Sequence, residues 1–147
     1  MVNTKTFKKI LSLQEKEKNA AQMAYKESVD CFESVATQFY NLLRKKEEVE
    51  QKYHYYLENT GSVTAIATHH SYIENIKTKI ATIQITVDKA RNDMEQKQEL
   101  LTEAHIELKK YEKLIERKQM KEKERELYEE NKIMDETSVR QFLNSRR

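Results

Sequence analysis

The 147 residues contain one glycine, one cysteine, no proline and no tryptophan. Proline removes a helical hydrogen bond and clashes with the preceding turn, and glycine costs about 1 kcal/mol in a helix interior. A chain almost free of both can be helical nearly throughout. The single cysteine, Cys31, excludes an intramolecular disulfide and fits a reducing compartment. No run approaches the ~18 apolar residues of a membrane span, and residues 1–7 lack the apolar core of a secretory signal. An excess of one charge sign is missing too: 27 basic residues stand against 25 acidic ones, a net +2. Dedicated nucleic-acid binders concentrate basic charge in one patch, so neither nucleic acid nor a membrane span is expected. The composition fits a soluble, intracellular chain.

What is present is a seven-residue rhythm. Ile66, Ile73, Ile80, Val87, Met94, Leu101, Leu108 and Ile115 recur at intervals of seven and are all apolar. The companion series His69, Ile76, Ile83, Ala90, Lys97, Ala104 and Tyr111 is mostly apolar. Two apolar positions per heptad, sustained this long, form the seam of a coiled coil. The first third repeats the pattern, with Leu11, Lys18, Tyr25, Phe32, Phe39, Lys46 and Tyr53 beside Phe7, Gln14, Ala21, Ser28, Val35, Leu42, Val49 and Tyr56. Each stripe supplies the cover the other needs.

The break falls at Glu58-Asn-Thr-Gly-Ser62. Gly61 can take the left-handed conformation that ends a helix, and Ser62 is placed to cap the next one. Thr4 or Thr6 is placed to cap the first. If Gly61 is the pivot of an antiparallel pair, facing residues have numbers summing to about 122. This register sets Tyr56 against Ile66, Tyr53 against His69, Val49 against Ile73, Phe32 against Ala90 and Phe7 against Ile115. Four layers are imperfect: Lys46 with Ile76, Tyr25 with Lys97, Lys18 with Ala104, and Gln14 with Leu108. Lysine can bury its stem and keep its ammonium in water. Three of the four lie toward the termini, so that end is expected to open more readily.

The expected fold is all-α, a long antiparallel two-helix coiled-coil hairpin with helix 2 extending beyond helix 1. Residues 1–147 form one unit: helix 1 over about 5–58, a turn at 59–62, helix 2 over about 63–133 and a short tail at 134–147. The paired part would be about 80 Å long at 1.5 Å per residue. Past Ile115 the seam positions become Lys118, Glu122, Arg125 and Glu129. Helix 2 therefore projects alone, supported by opposite-charge neighbours such as Lys118 and Glu122. In the tail, Asp135, Thr137 or Ser138 could start a final turn whose Val139, Phe142 and Leu143 dock on this pair or on a partner.

No catalytic, cofactor or metal site is expected. His69 and His70 are adjacent and diverge by about 100°, whereas paired helical metal ligands sit four apart. Cys31 has no candidate base beside it, and a two-helix rod offers little concavity. Tyr53-His-Tyr-Tyr56 reads as aromatic filling of the last layers before the turn. Lys5, Lys8, Lys9, Lys16 and Lys18 make the start of helix 1 basic, either as a solvated face or as a surface for an acidic partner.

The order of the pieces resembles the flagellar export protein FliJ family. The start, Phe7-Lys-Lys-Ile-Leu-Ser-Leu-Gln-Glu-Lys-Glu-Lys, looks like that family's opening. Met94-Glu-Gln-Lys-Gln-Glu-Leu-Leu-Thr-Glu-Ala and Lys110-Tyr-Glu-Lys-Leu-Ile-Glu-Arg-Lys118 are similar to its second helix. Met134-Asp-Glu136 with Arg140 and Phe142 is similar to its closing segment, while Gln119-Met120 departs from a more basic run. The resemblance implies a non-enzymatic component of the flagellar type III export apparatus. Such a protein would sit in the cytoplasm, peripheral to the inner face of the cell membrane at the flagellar base. It implies binding to and stimulation of the export ATPase ring, contact with the export gate membrane protein, and escort of flagellar export chaperones. Phe7, Lys8, Lys9 and Leu11 on helix 1, with Asp135, Glu136, Arg140 and Phe142 near the end, are the expected contact residues. The competing reading is a coiled-coil scaffold or tether unrelated to export.

Overall fold

The computed structural model describes residues 4–59 and 62–146. Among them the chain is all-α: α1 spans Thr4–Glu58 and α2 spans Val63–Ser145, packed against each other as an antiparallel hairpin. Thr6 lies inside α1 and does not cap it. The expected pivot Gly61, with Thr60, lies outside the described residues. Ser62 does cap α2: the Ala65 amide donates to its Oγ at 3.1 Å, and the Ile66 amide to its carbonyl at 3.0 Å. At the other flank the Asn59 amide donates to the Tyr55 carbonyl at 3.0 Å, completing the last turn of α1.

The opening of α2 is rich in β-branched residues, which helices tolerate less well. Its threonines bond back to their own helix. Thr68, Thr78, Thr82 and Thr86 each donate their hydroxyl to the carbonyl four residues back, at 2.8–3.4 Å, so none competes with the helix for its amides.

The hairpin divides into two units. The turn-end unit, residues 20–102, pairs the later part of α1 with the first part of α2. Its core is Val49, Ile73 and Ile76, 9%, 5% and 3% exposed, with Tyr53 and Ile80 packed against it. Val87 is buried as well. Ser28 is the buried polar residue of the seam, and its hydroxyl donates to the Tyr25 carbonyl at 2.6 Å. Cross-helix contacts give the register: Phe32 meets Arg91, Lys45 meets Tyr72, Tyr53 meets His70 and Tyr56 meets His69. The residue numbers of these pairs add to 117–125, bracketing 122.

One pairing differs from expectation. His69 stacks on Tyr56, with centroids 4.8 Å apart, and not on Tyr53, which tilts toward His70 at 6.3 Å. A tyrosine ring reaches past its own layer, so the aromatic contact forms one turn nearer the hairpin end. Lys46 and Lys97 behave as flexible stems. Both are half-buried, and their ammonium groups turn to carboxylates one turn away, Glu50 at 3.7 Å and Asp93 at 4.0 Å. The Tyr72 hydroxyl beside Lys45 raises that ammonium above its ordinary value, first by hydrogen bonding and then by charge.

The terminal unit comprises residues 1–19 and 103–147. Its seam is thinner. Leu108 is 4% exposed, while Phe7, Leu11, Tyr111 and Ile115 are half-buried. The separate tail expected from residue 134 is absent: α2 runs unbroken to Ser145. No glycine or proline follows Gly61 to stop it. Thr137, a candidate cap, instead donates its hydroxyl to the Ile133 carbonyl at 2.9 Å, as a residue in mid-helix does. Val139, Phe142 and Leu143 are 57–58% exposed, so they do not dock on this pair.

Candidate functional site

The seam of the terminal unit ends in an open groove. Phe7 from α1 and Ile115 from α2 form its floor, and Glu116, Gln119, Met120, Glu122, Lys123 and Glu126 form its walls. Its volume is about 410 Å³. Three carboxylates against one ammonium leave the walls acidic around an apolar floor. The groove exists because α2 continues past the first turn of α1, exposing the next seam positions without a partner helix.

Lys118 occupies the seam position after Ile115 and folds over the Phe7 ring, with Nζ 4.7 Å from the centroid. A cation on an aromatic face at this distance is attracted by the ring quadrupole. Lys118 therefore closes the seam against Phe7 and does not pair with Glu122, as the (i, i+4) spacing alone implies. Glu122 takes Arg125, whose guanidinium donates to it at 2.8 Å. From here the seam face is charged, with Glu122, Glu129 and Glu136 interleaved with Lys118, Arg125 and Lys132.

The eight expected contact residues fall into two patches. Phe7 and Leu11 are half-buried seam residues, and Lys8 and Lys9 beside them are exposed. Asp135, Glu136 and Arg140 line a shallow depression with Val139, of about 360 Å³. Phe142 is exposed, and the Arg146 guanidinium lies 5.2 Å from its ring centroid. The two patches are not brought together. From Lys118 to Asp135 the helix advances about 25 Å at 1.5 Å per residue. The eight expected contact residues leave out the groove walls, above all Met120, which is 57% exposed. The signal was present as an apolar residue at a position away from the seam.

Among the described residues no group of histidine, cysteine and carboxylate side chains is placed to hold a metal ion, and Cys31 is a free, exposed thiol. Among the same residues no helix is long and apolar enough to cross a membrane. What the arrangement offers is surface: an acidic groove with an apolar floor, and farther out a mixed patch with both charge signs.

The sequence model of the family described as Flagellar FliJ protein matches residues 4–147. The chain is 37% identical over 137 residues to the Flagellar FliJ protein of Bacillus subtilis (strain 168), covering 93% of each chain. No solved structure matches. A family match running nearly end to end, and a full-length relative of the same name, agree with the two-helix architecture and its single interruption: the chain belongs to the flagellar FliJ protein family.

Proposed function

We propose that this chain, a flagellar export component by its family, binds the export ATPase ring and stimulates ATP hydrolysis there. In the same reading it contacts the export gate membrane protein, escorts substrate chaperones, and works in the cytoplasm against the inner face of the membrane at the flagellar base. The ATPase hydrolyses the nucleotide; this chain supplies contacts. The observation that carries the reading is the end of the seam. Phe7 and Ile115 floor an acidic groove there, and α2 runs on past α1 with exposed charge on its seam face. A helix that outlasts its partner presents side chains to other proteins without any rearrangement of the hairpin.

The test is ATP hydrolysis by the organism's export ATPase, with and without this protein, alongside ring assembly followed by light scattering. Stimulation is expected. Glu136→Lys with Arg140→Glu, both at exposed positions, is expected to reduce it, and so is Phe7→Ala with Leu11→Ala. No stimulation at saturating, folded protein would sink the reading and leave a tether unrelated to export.

A further inference from the structure

The outer half of α2 carries a second apolar stripe, turned away from the hairpin seam and adjoining the Phe7 groove at Met120. Met120, Leu127 and Met134 recur at intervals of seven and are 57%, 59% and 67% exposed. Tyr128 and Phe142, two heptads apart, adjoin them and are 69% and 58% exposed. Met120 is five residues on from Ile115, which turns it about 140° round the helix from the seam at 3.6 residues per turn. Between these apolar positions lie Asn131 and Ser138, both uncharged, and the carboxylates Glu124 and Asp135. A heptad stripe calls for another heptad stripe, and among the described residues neither helix offers one to it.

The stripe is complementary to itself when reversed. In an antiparallel pair of outer halves with a twofold axis at Asn131, facing residues have numbers adding to 262. Met120 then faces Phe142 of the second copy, and Tyr128 faces Met134 of the second copy. Each contact occurs twice. Asn131 meets Asn131 on the axis, where paired amides can hydrogen-bond and fix the register. The flanks agree in charge: Lys132 faces Glu130 of the second copy, and Glu116 faces Arg146 of the second copy. No like charges oppose across the stripe or these flanks. Leu127 against Asp135 and Glu124 against Ser138 are the mismatched layers. The pairing spans residues 116–146, about 45 Å at 1.5 Å per residue.

From this we infer that two copies of the chain pair through the outer halves of α2, antiparallel, on the face opposite the hairpin seam. Such a contact is isologous, so it closes at two copies and does not propagate. It does not depend on the export reading. It leaves the seam of each hairpin unchanged, while Met120 and Glu116, which also wall the groove over Phe7, are shared between the two surfaces.

The experiment uses the full chain carrying Cys31→Ser. Sedimentation equilibrium up to about 100 µM, the range of a weak but specific pair, is expected to give the mass of two chains. Phe142→Glu, a change at an exposed position that leaves the hairpin helical, is expected to weaken pairing at least tenfold. Glu130→Lys is expected to weaken it, and Glu130→Lys with Lys132→Glu to restore it. Direction is read by oxidation: Asn131→Cys cross-links with itself, and Met120→Cys cross-links with Phe142→Cys in a mixture but not with itself. A single-chain mass throughout the range overturns the inference. So does a dimer that is indifferent to Phe142→Glu, or one in which Met120→Cys cross-links with itself.

Discussion

Lys118 Nζ rests 4.7 Å above the Phe7 ring, at the point where the apolar seam gives out. One side chain comes from each helix, and together they seal the last layer. An exposed cation–π contact contributes about 0.5–1 kcal/mol. Lys118→Ala should lower the melting temperature slightly. Phe7→Ala should lower it more, with a stability loss of about 1–2 kcal/mol, because a half-buried ring is lost along with the contact. Thermal melts followed by far-UV circular dichroism measure both. An equal loss for the two would show that the ring contributes nothing beyond its meeting with Lys118.

Ile76 is the most buried apolar residue described, at 3% exposure, and sits in the Val49–Ile73 core. Ile76→Ala should cost about 2–4 kcal/mol from lost transfer energy and an unfilled gap. Lys46→Leu, in the layer facing it, should stabilise by about 1 kcal/mol, since an apolar side chain would replace a stem whose ammonium reaches out to Glu50. Urea unfolding of the two variants checks the opposite signs.

Ser28 is 5% exposed and bonds back to the Tyr25 carbonyl. Its hydroxyl serves no partner across the seam. Ser28→Ala should therefore be neutral or stabilising by up to about 0.5 kcal/mol, through better helix propensity and loss of the back-bond. A loss above about 1 kcal/mol in the same unfolding assay would mean that the hydroxyl has a role in the seam.

Ser62 holds the first turn of α2 through the Ala65 amide. Ser62→Ala should cost about 1 kcal/mol, while Ser62→Asp should retain most of the stability. Denaturant midpoints of the three proteins give the comparison.

Amide exchange should be slowest around Val49, Ile73 and Ile76 and faster in the terminal unit. Among the described residues, four buried apolar ones lie in the turn-end unit and Leu108 alone in the terminal one. Peptide-resolved hydrogen exchange reads this directly. Slower exchange near Phe7 and Ile115 than near Ile73 would overturn it.

The hairpin was legible because its cause is repetitive. Ile73, Ile76, Val87 and Leu108 were read as seam residues from spacing alone, and all are buried. The register followed from one breaker, and the contacts of Phe32, Lys45, Tyr53 and Tyr56 bracket it. The end of α2 was not legible. Asp135, Thr137 and Ser138 have capping chemistry, but a cap ends one helix only where something stops another, and nothing there does. The contact of Lys118 with Phe7 was hidden for a related reason. A lysine on a seam reads as the place where packing stops, although its stem and charge can still close over an aromatic ring. Of the contact residues, the sequence gives identity and charge but not their division into two patches, which depends on how far α2 runs.

That α2 is one unbroken helix past Ile115 makes chain length there a quantity under geometric control. Each residue moves everything beyond it by 1.5 Å and turns it by about 100°. Seven residues added between Arg117 and Asp135 would carry the patch at Asp135, Glu136 and Arg140 about 10 Å outward and rotate it by only about 20°. Five would carry it less far yet swing it by about 140°, to a different side of the molecule. The segment behaves as a ruler and a dial at once. Insertions or deletions of whole heptads alter reach alone, and any other number re-aims the end.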